Sequence, residues 1–266
     1  MYKVLLIGFG HMGSSLFNSW NKSKIKNISI VDPLIKKNKT KNKKIKLYKD
    51  ISDVKKIDNY NIIFLAVKPQ IISKVLLSMK NISIKNKLFI SIIAGKNIQY
   101  FEDKLGKKIS IVRTMPNLPA SVGRGVTCLY ANKNVSIKEK KNANEMFKFV
   151  GKTFWVKGEH YIDKFTAISG SGPAYYYYFI ECITEAGKVI GLNKKLSYEL
   201  AYRTAVGSID LLKKSKDNAT SLRKKIAVKG GTTEAAILAL KNNKKMQKIV
   251  IKGVKSAFER AQKIGK

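Results

Sequence analysis

Short apolar runs alternate with longer amphipathic stretches over the first part of the chain. Seven runs predict strands: 3–8, 28–32, 62–67, 88–93, 109–115, 126–130 and 153–156. The first five are rich in β-branched residues and are typical of buried parallel strands, and the last two could extend the same sheet. Helix-length amphipathic pieces such as 69–80 lie between them. The alternation predicts a doubly wound α/β domain over residues 1–158.

The pattern changes near residue 160, where strand-like runs end. Six stretches with helical periodicity follow: 160–168, 174–191, 195–214, 219–228, 233–242 and 245–264. They predict an all-α second domain over residues 159–266, with the boundary near 156–163.

One helical stretch has an unusual entry. In "SGSGPAYYYYF" (169–179), small residues precede Pro173, which suits a first helical turn, and then come four consecutive tyrosines. At 3.6 residues per turn these tyrosines cover every face, so the helix must be buried all round. A small helical domain cannot bury it alone. The sequence therefore predicts a homodimer or a multiple of dimers.

The formal net charge of +36 raises the question of nucleic-acid binding. Lysines are scattered over the whole chain together with asparagines and isoleucines, which indicates a composition bias on solvated faces. The dense run 36–46 is either a solvated loop or a phosphate-facing segment. Only five of the 53 basic residues are arginines, namely Arg113, Arg124, Arg203, Arg223 and Arg260. We therefore expect no nucleic-acid partner.

The cellular compartment and the metal content are predicted from features that the sequence lacks. No apolar run reaches the roughly 18 residues of a membrane-spanning helix, and the N-terminus does not resemble a signal peptide. Cys128 and Cys182 suggest no disulfide framework, and neither is spaced with His11 or His160 as metal ligands are. We expect a cytoplasmic protein without a membrane partner and without a metal.

The first predicted turn carries a G-x-G-x-x-G pattern, formed by Gly8, Gly10 and Gly13. It follows a predicted strand and opens a predicted helix, as in dinucleotide-binding folds. There the three glycines allow a tight turn, close approach of a pyrophosphate to the backbone, and close packing of the helix on the sheet. The alternative is a glycine-rich turn without a ligand.

Asp32 ends the second predicted strand, where an acid that binds the adenine ribose belongs. An acid there favours NADH, but Lys36, Lys37 and Lys39 follow and could pair with the 2′-phosphate of NADPH. The alternative is a turn residue before Pro33. The sequence leaves the choice between NADPH and NADH open.

Two further segments have the chemistry of a binding site. "AVKPQ" (66–70) follows another strand, where Pro69 suits a first helical position and Lys68 either reaches a cofactor or is exposed. "KGGTTEAA" starts a helix that Thr232 or Thr233 could cap. The backbone N–H groups of residues 230–233 form a place for a carboxylate, and the alternative is an ordinary capped helix.

Several segments together resemble the Δ1-pyrroline-5-carboxylate reductases. They are "GFGHMG", "AVKP", "SIIAG", "RTMPNLPASVGRGVT", "SGSGPAYYYYFIE" and "VKGGTTEAAI". They occur in the family's order, and the resemblance extends over nearly the whole chain. The resemblance implies a Rossmann-type domain followed by a helical dimerisation domain, and the NAD(P)H-dependent reduction of 1-pyrroline-5-carboxylate to proline.

The resemblance also implies site residues. Cofactor-binding positions are Gly8, Phe9, Gly10, His11, Met12, Gly13, Ala66, Val67, Lys68 and Ala94. Substrate-binding positions are Gly230, Gly231, Thr232 and Thr233. Where the family usually has Ser-Pro before "GGTT", this chain has Val228-Lys229, so a serine's role is lost or passes to backbone N–H groups or to Lys229.

Reduction of a cyclic imine needs little acid–base machinery, because the substrate nitrogen can enter already protonated. The protein must mainly hold the two reactants face to face. We take Thr233 as the catalytic candidate, donating to the ring nitrogen directly or through water. His11 lies among the cofactor glycines and is expected to face the pyrophosphate or solvent.

Two other interpretations stay open at this point. One is another imine or β-hydroxyacid oxidoreductase with the same two-domain plan, against which stands the lack of a recognisable catalytic-lysine motif in the helical half. The other is a basic nucleic-acid-binding protein with a vestigial cofactor domain. Dispersed lysine and scarce arginine weigh against it.

Overall fold

The computed structural model describes most of the chain, namely residues 2–21, 25, 27–35, 45–79, 83 and 85–264. By spatial contacts the chain divides into two compact units. The first is Met1–Ser171 together with Ala257–Lys266, and the second is Gly172–Ser256. The predicted lysine-rich segment lies outside the described residues from 36 to 44.

The first unit is built on a sheet of eight described strands in the order β3-β2-β1-β4-β5-β6-β7-β8. They are Lys3–Ile7 (β1), Asn27–Val31 (β2), Lys46–Tyr48 (β3), Ile62–Leu65 (β4), Leu88–Ser91 (β5), Ser110–Met115 (β6), Gly125–Ala131 (β7) and Gly151–Trp155 (β8). All seven predicted strands are present. Neighbouring strands are parallel except β6 and β7, which are antiparallel. The predicted doubly wound α/β fold is confirmed.

Helices cover both faces of this sheet and close two cores. They are His11–Asn21 (α1), Ile72–Ser78 (α2), Ile98–Leu105 (α3), Ile137–Phe147 (α4) and Tyr161–Phe165 (α5). One core contains the fully buried Trp20, Phe64 and Phe147, and the other contains Leu5 and Phe101. The Trp20 indole N–H donates to the carbonyl of Met146 at 2.6 Å. Burial on both faces explains the uninterrupted apolar runs of the central strands.

Two local predictions need correction. The strand β3 was not predicted, because three residues after a polar segment have no usable periodicity; pairing with β2 holds them in the sheet. Pro69 is not the first residue of a helix, since α2 starts at Ile72 and Pro69 belongs to the turn before it.

The second unit is helical. Its helices are Gly172–Val189 (α6), Lys194–Lys214 (α7), Ala219–Ile226 (α8), Thr232–Lys241 (α9) and Lys245–Ile264 (α10), the last of which passes into the first unit at Ala257. Each begins and ends within two residues of its predicted bounds. Helices α6 and α7 pack along each other, with Gly187 against Ser197.

Large apolar surfaces of the second unit are exposed. Among its described hydrophobic residues Ala201 alone is buried, and Tyr176, Tyr178 and Phe179 are 69 %, 67 % and 44 % exposed. The expected all-round burial of α6 is therefore not achieved within one chain. Exposed apolar patches of this kind mark surfaces that another chain covers.

The contact-based division differs from the predicted domain boundary after residue 158. Helix α5 and the π-helical turn Thr166–Gly170 belong to the first unit, because α5 contacts β6 and β7. Arg113 on β6 also forms ion pairs with Glu159 at 2.9 Å and with Asp163 at 3.5 Å. As a division between functional halves, the boundary at 158 stays a prediction.

Candidate functional site

The loop between β1 and α1 has two glycines that the fold itself requires. Gly8 has φ +100°, and a Cβ there would lie 2.5 Å from the carbonyl oxygen of Ala66. A Cβ on Gly13 would lie 2.4 Å from the carbonyl oxygen of Gly8. These contacts hold β1, the turn after β4 and the start of α1 close together, and any side chain would force them apart.

Gly10 differs from both of these glycines. Its φ is not in the left-handed region, and a Cβ there would meet no protein atom within 4 Å. The protein's own packing therefore gives no reason for a glycine at this position. In dinucleotide-binding folds a pyrophosphate occupies such an open space beside a glycine-rich loop at the start of a helix.

The start of α1 adds donors to this loop. The first N–H groups of a helix have no partner within the helix, and their dipole end is positive. The first turn holds no acidic residue that would occupy them. His11 is exposed, and its carbonyl oxygen accepts bonds from the hydroxyls of Ser14 and Ser15 at 3.0 and 2.7 Å. Met12 is half-buried against the core.

Asp32 lies at the end of β2 and is bound to the loop. Its Oδ2 accepts the N–H of Phe9 at 2.7 Å, and its Oδ1 accepts the N–H of Leu34 at 2.9 Å. The ring of Phe9 packs against Phe17, with centroids 5.4 Å apart. The sequence did not predict the hydrogen bond that Asp32 accepts from the glycine loop. The carboxylate stands where an acid that binds a ribose belongs, and each oxygen keeps a further lone pair.

The turns after β4 and β5 complete this edge of the sheet. Ala66 and Val67 are half-buried and Lys68 is exposed, and the N–H of Ala66 donates to the carbonyl of Ile7 at 2.8 Å. Ala94 is half-buried in the turn after β5. Because β2, β1, β4 and β5 are adjacent and parallel, their carboxyl ends meet at one edge. The structure thus brings together every predicted cofactor residue.

The predicted substrate turn lies in the second unit, at the start of α9. Gly230 has φ +75°, and its N–H donates to Oε2 of Glu234 at 2.7 Å. The N–H of Gly231 donates to the carbonyl of Val228 at 3.1 Å. The expectation that all four N–H groups of residues 230–233 face a ligand is therefore too broad. The donors of Thr232 and Thr233 belong to the first helical turn, whose N–H groups have no intrahelical partner.

The prediction that Thr232 or Thr233 caps this helix is wrong. Gly231 occupies the N-cap position with extended backbone angles, and no side chain caps the helix. Thr232 is exposed and Thr233 is half-buried, so both hydroxyls are free of a capping role. Glu234 lies in the first turn, where its charge suits the positive end of the helix dipole.

The buried cysteine takes no part in this chemistry. Burial raises the pKa of the Cys128 thiol to about 12, although the positive charge of Arg113 acts in the opposite direction. The thiol therefore stays protonated near neutral pH, and a protonated thiol is a poor nucleophile. Within the described ranges, no three His, Cys, Asp or Glu side chains form a group that could hold a metal ion. None of the described helices is both long and apolar enough to cross a bilayer.

Two family models match the chain, one in each half. Residues 159–264 match the pyrroline-5-carboxylate reductase dimerisation model, and residues 3–95 match the model described as NADP oxidoreductase coenzyme F420-dependent. A dimerisation domain, together with the exposed apolar faces of the second unit, indicates that the chain assembles with copies of itself.

Relatives match over both units. A pyrroline-5-carboxylate reductase of Aquifex aeolicus is 32 % identical over 264 residues, which cover 98 % of this chain and 97 % of that protein. The enzyme of Synechocystis sp. is 35 % identical over 205 residues, 77 % of this chain and 75 % of that protein.

A solved structure agrees with these relatives. The crystal structure of a Plasmodium falciparum pyrroline carboxylate reductase with NADP bound superposes with a TM-score of 0.85 and 34 % identity, over 100 % of this chain and 98 % of that one. The chain therefore belongs to the pyrroline-5-carboxylate reductase family.

Proposed function

We propose that this chain reduces 1-pyrroline-5-carboxylate to proline, the last step of proline biosynthesis, with a hydride from NADPH or NADH. The observation that carries the proposal is the match to reductases of this name over 98 % of the chain, across both units. The chain is an oxidoreductase that acts on a small molecule. The rival interpretations, another imine or β-hydroxyacid oxidoreductase and a nucleic-acid-binding protein, are not favoured.

The residues present fit a dinucleotide. The open space over Gly10, the required glycines on either side and the acid-free first turn of α1 suit a doubly negative pyrophosphate. When bound, the nicotinamide supplies the hydride. The chain's own part is to bind and orient: the loop holds the phosphates, Asp32 accepts from a ribose hydroxyl, and the turns after β4 and β5 border the rest of the coenzyme.

The substrate end of the reaction is assigned to the start of α9. The backbone N–H groups of Thr232 and Thr233 hold the substrate carboxylate, supported by the positive end of the helix dipole. The Thr233 hydroxyl donates to the ring nitrogen directly or through water. We further propose that Lys229, where the family usually has proline, adds a positive charge near the same carboxylate. Because the imine can enter protonated, no general acid is required.

Turnover measurements can show whether the protein prefers NADH or NADPH. Asp32 favours NADH, whereas Lys36, Lys37 and Lys39, which lie outside the described residues, favour NADPH. We expect purified protein to convert 1-pyrroline-5-carboxylate with both coenzymes and with unequal kcat/KM. Initial rates at matched concentrations of NADH and NADPH give the preference, and no turnover with either would refute the proposed function.

The assembly is proposed to be a dimer or a multiple of dimers. Support comes from the exposed Tyr176 and Phe179 on α6, which a second copy can bury. We expect light scattering at micromolar concentration to give an even number of chains. Replacing both residues by Asp should produce aggregated or unfolded chains, since charges would be forced into the interface.

The matched control for this double variant is Leu77→Asp. Leu77 is an apolar residue that is 64 % exposed on α2 in the first unit. The Leu77→Asp substitution should leave the number of chains in the assembly unchanged. A well-folded wild-type monomer would contradict the proposed assembly.

We propose that the reaction takes place in the cytoplasm. Both cysteines are free, the buried Cys128 as well as the exposed Cys182. Free thiols are the form that a reducing compartment maintains.

A further inference from the structure

A π-helical turn, Thr166–Gly170, lies where the chain leaves the first unit, and Ser171 separates it from Gly172 at the start of helix α6. The N–H of Ser171 donates to the carbonyl of Thr166 at 2.8 Å, a bond that spans five residues instead of four. Such a turn inserts a residue into the helical ladder, so the carbonyls around it need other donors, and turns of this type are frequent at functional sites. The predicted helix over 160–168 includes only the first three residues of this turn.

The side chain of Asn117 supplies a donor to this turn. Asn117 lies in the loop between β6 and β7 and is 8 % exposed. Its Nδ2 donates to the carbonyl oxygen of Ser169 at 3.0 Å and to the Ser169 hydroxyl at 3.2 Å. Its Oδ1 accepts the N–H of Val126, which follows the first residue of β7, at 2.8 Å. Both ends of one amide are therefore occupied, one by the sheet and the other by the turn.

The end of strand β6 approaches the same turn from the side. A Cβ on Gly170 would lie 4.0 Å from Cγ of Met115, the last residue of β6. The loop after β6 and the end of this strand both reach the turn, and the Asn117 amide links β7 to the carbonyl and the hydroxyl of Ser169.

We infer that Asn117 is a positioning residue of the reductase, which fixes the turn through which the chain passes from the coenzyme-binding unit to the substrate-binding unit. The inference rests on the proposed function, because reduction needs the residues assigned to the coenzyme in the first unit and those assigned to the substrate in the second. Both ends of the Asn117 amide are bound within the first unit, so we assign it a positioning role and no contact with a reactant. Its loss should therefore lower turnover while coenzyme binding stays unchanged.

Asn132 provides a matched control at the other end of β7. It is also 8 % exposed, its Oδ1 accepts the N–H of Ile111 at 3.3 Å, and its Nδ2 donates to the carbonyl of Ile109 at 2.8 Å. The same Nδ2 also donates to a side-chain oxygen, Oε1 of Glu102, at 2.9 Å. Each asparagine accepts one backbone N–H and donates to one backbone carbonyl and one side-chain oxygen, but of the two it is Asn117 that bonds to the turn.

The experiment compares Asn117→Ala with Asn132→Ala in the full-length oligomer. Both should lower the Tm by similar amounts. Asn117→Ala should lower kcat at least ten-fold and leave the Kd of the coenzyme within two-fold of wild type, whereas Asn132→Ala should keep kcat within two-fold. Amide hydrogen exchange at Ser171 should become at least ten-fold faster in Asn117→Ala only.

Other outcomes would overturn the inference. They are an unchanged kcat in Asn117→Ala, or a kcat loss of the same size in Asn132→Ala. If Asn117→Ala does not fold, Asn117→Asp replaces it under the same criteria, because a carboxylate still accepts the N–H of Val126 but repels the carbonyl of Ser169. If wild type itself shows no turnover, the proposed function fails and this inference with it. If only the Asn117 variants behave like wild type, this inference alone fails.

Discussion

Gly10→Val is expected to abolish coenzyme binding and to leave the fold intact. A side chain at this position meets no protein atom within 4 Å, and its backbone angles suit any residue. The valine would instead fill the space in which a pyrophosphate approaches the loop backbone. We expect the Kd of the coenzyme, measured by titration of its fluorescence, to rise at least 100-fold, with a Tm within about 2 °C of wild type.

Two other variants of the loop make this result specific. Gly10→Ala adds a smaller group and should weaken binding by an intermediate factor. Gly8→Val should lower the Tm strongly, because a Cβ there would lie 2.5 Å from the carbonyl oxygen of Ala66 and φ is +100°. An unchanged coenzyme affinity in folded Gly10→Val would disprove the role of the loop as a dinucleotide site.

Thr233→Ala is expected to lower kcat/KM for 1-pyrroline-5-carboxylate by about one to two orders of magnitude. The change removes the hydroxyl and keeps the backbone donors at the start of α9. A hydrogen bond to a charged group contributes about 1.5–3 kcal/mol, which corresponds to this loss. Coenzyme affinity should barely change, since the coenzyme residues lie in the other unit. Steady-state kinetics at saturating coenzyme measure the effect.

The neighbouring residues supply the controls for this variant. Thr232→Ala removes a hydroxyl of the same kind from an exposed position one residue earlier and should have a smaller effect. Gly231→Val should be more damaging than Thr233→Ala, because a Cβ there would lie 3.2 Å from the carbonyl oxygen of Val228 and would disturb the turn that leads into α9. Wild-type efficiency in both Thr233→Ala and Gly231→Val would mean that the substrate is held elsewhere.

Hydrophobic periodicity alone accounts for most elements of this fold. The buried strands are uninterrupted apolar runs because helices cover both faces of the sheet, and the helices of the second half carry a clear 3.6-residue period. The glycine spacing at 8–13 likewise predicts a dinucleotide loop, because the pattern depends only on residues close together in the chain, and that role stays a prediction. The three residues of β3 are too few to show a hydrophobic period, so the sequence does not predict this strand. Pairing with β2 makes it part of the sheet.

The sequence pattern did not predict contacts between residues that are far apart along the chain. Asp32 was predicted from its position after β2, but its bond to the N–H of Phe9 joins groups 23 residues apart. Asn117 and Ser169 are 52 residues apart, and no periodicity connects them. The N–H of Gly231 was predicted as a ligand donor, and the turn geometry directs it to Val228 instead.

The sequence by itself determined the fold class with its N-terminal α/β part and C-terminal helical part and, through its combined motifs, the reductase family, and it supplied the glycine loop that we propose as the dinucleotide site. These features depend on residue type at fixed short spacings, which the chain displays directly. Only the tertiary structure decided the antiparallel pairing of β6 with β7, the separate roles of the three loop glycines and the anchoring of the π-helical turn by Asn117. Each of these depends on which backbone groups meet in space, and hydrogen bonds and steric contacts are settled only when distant segments pack together.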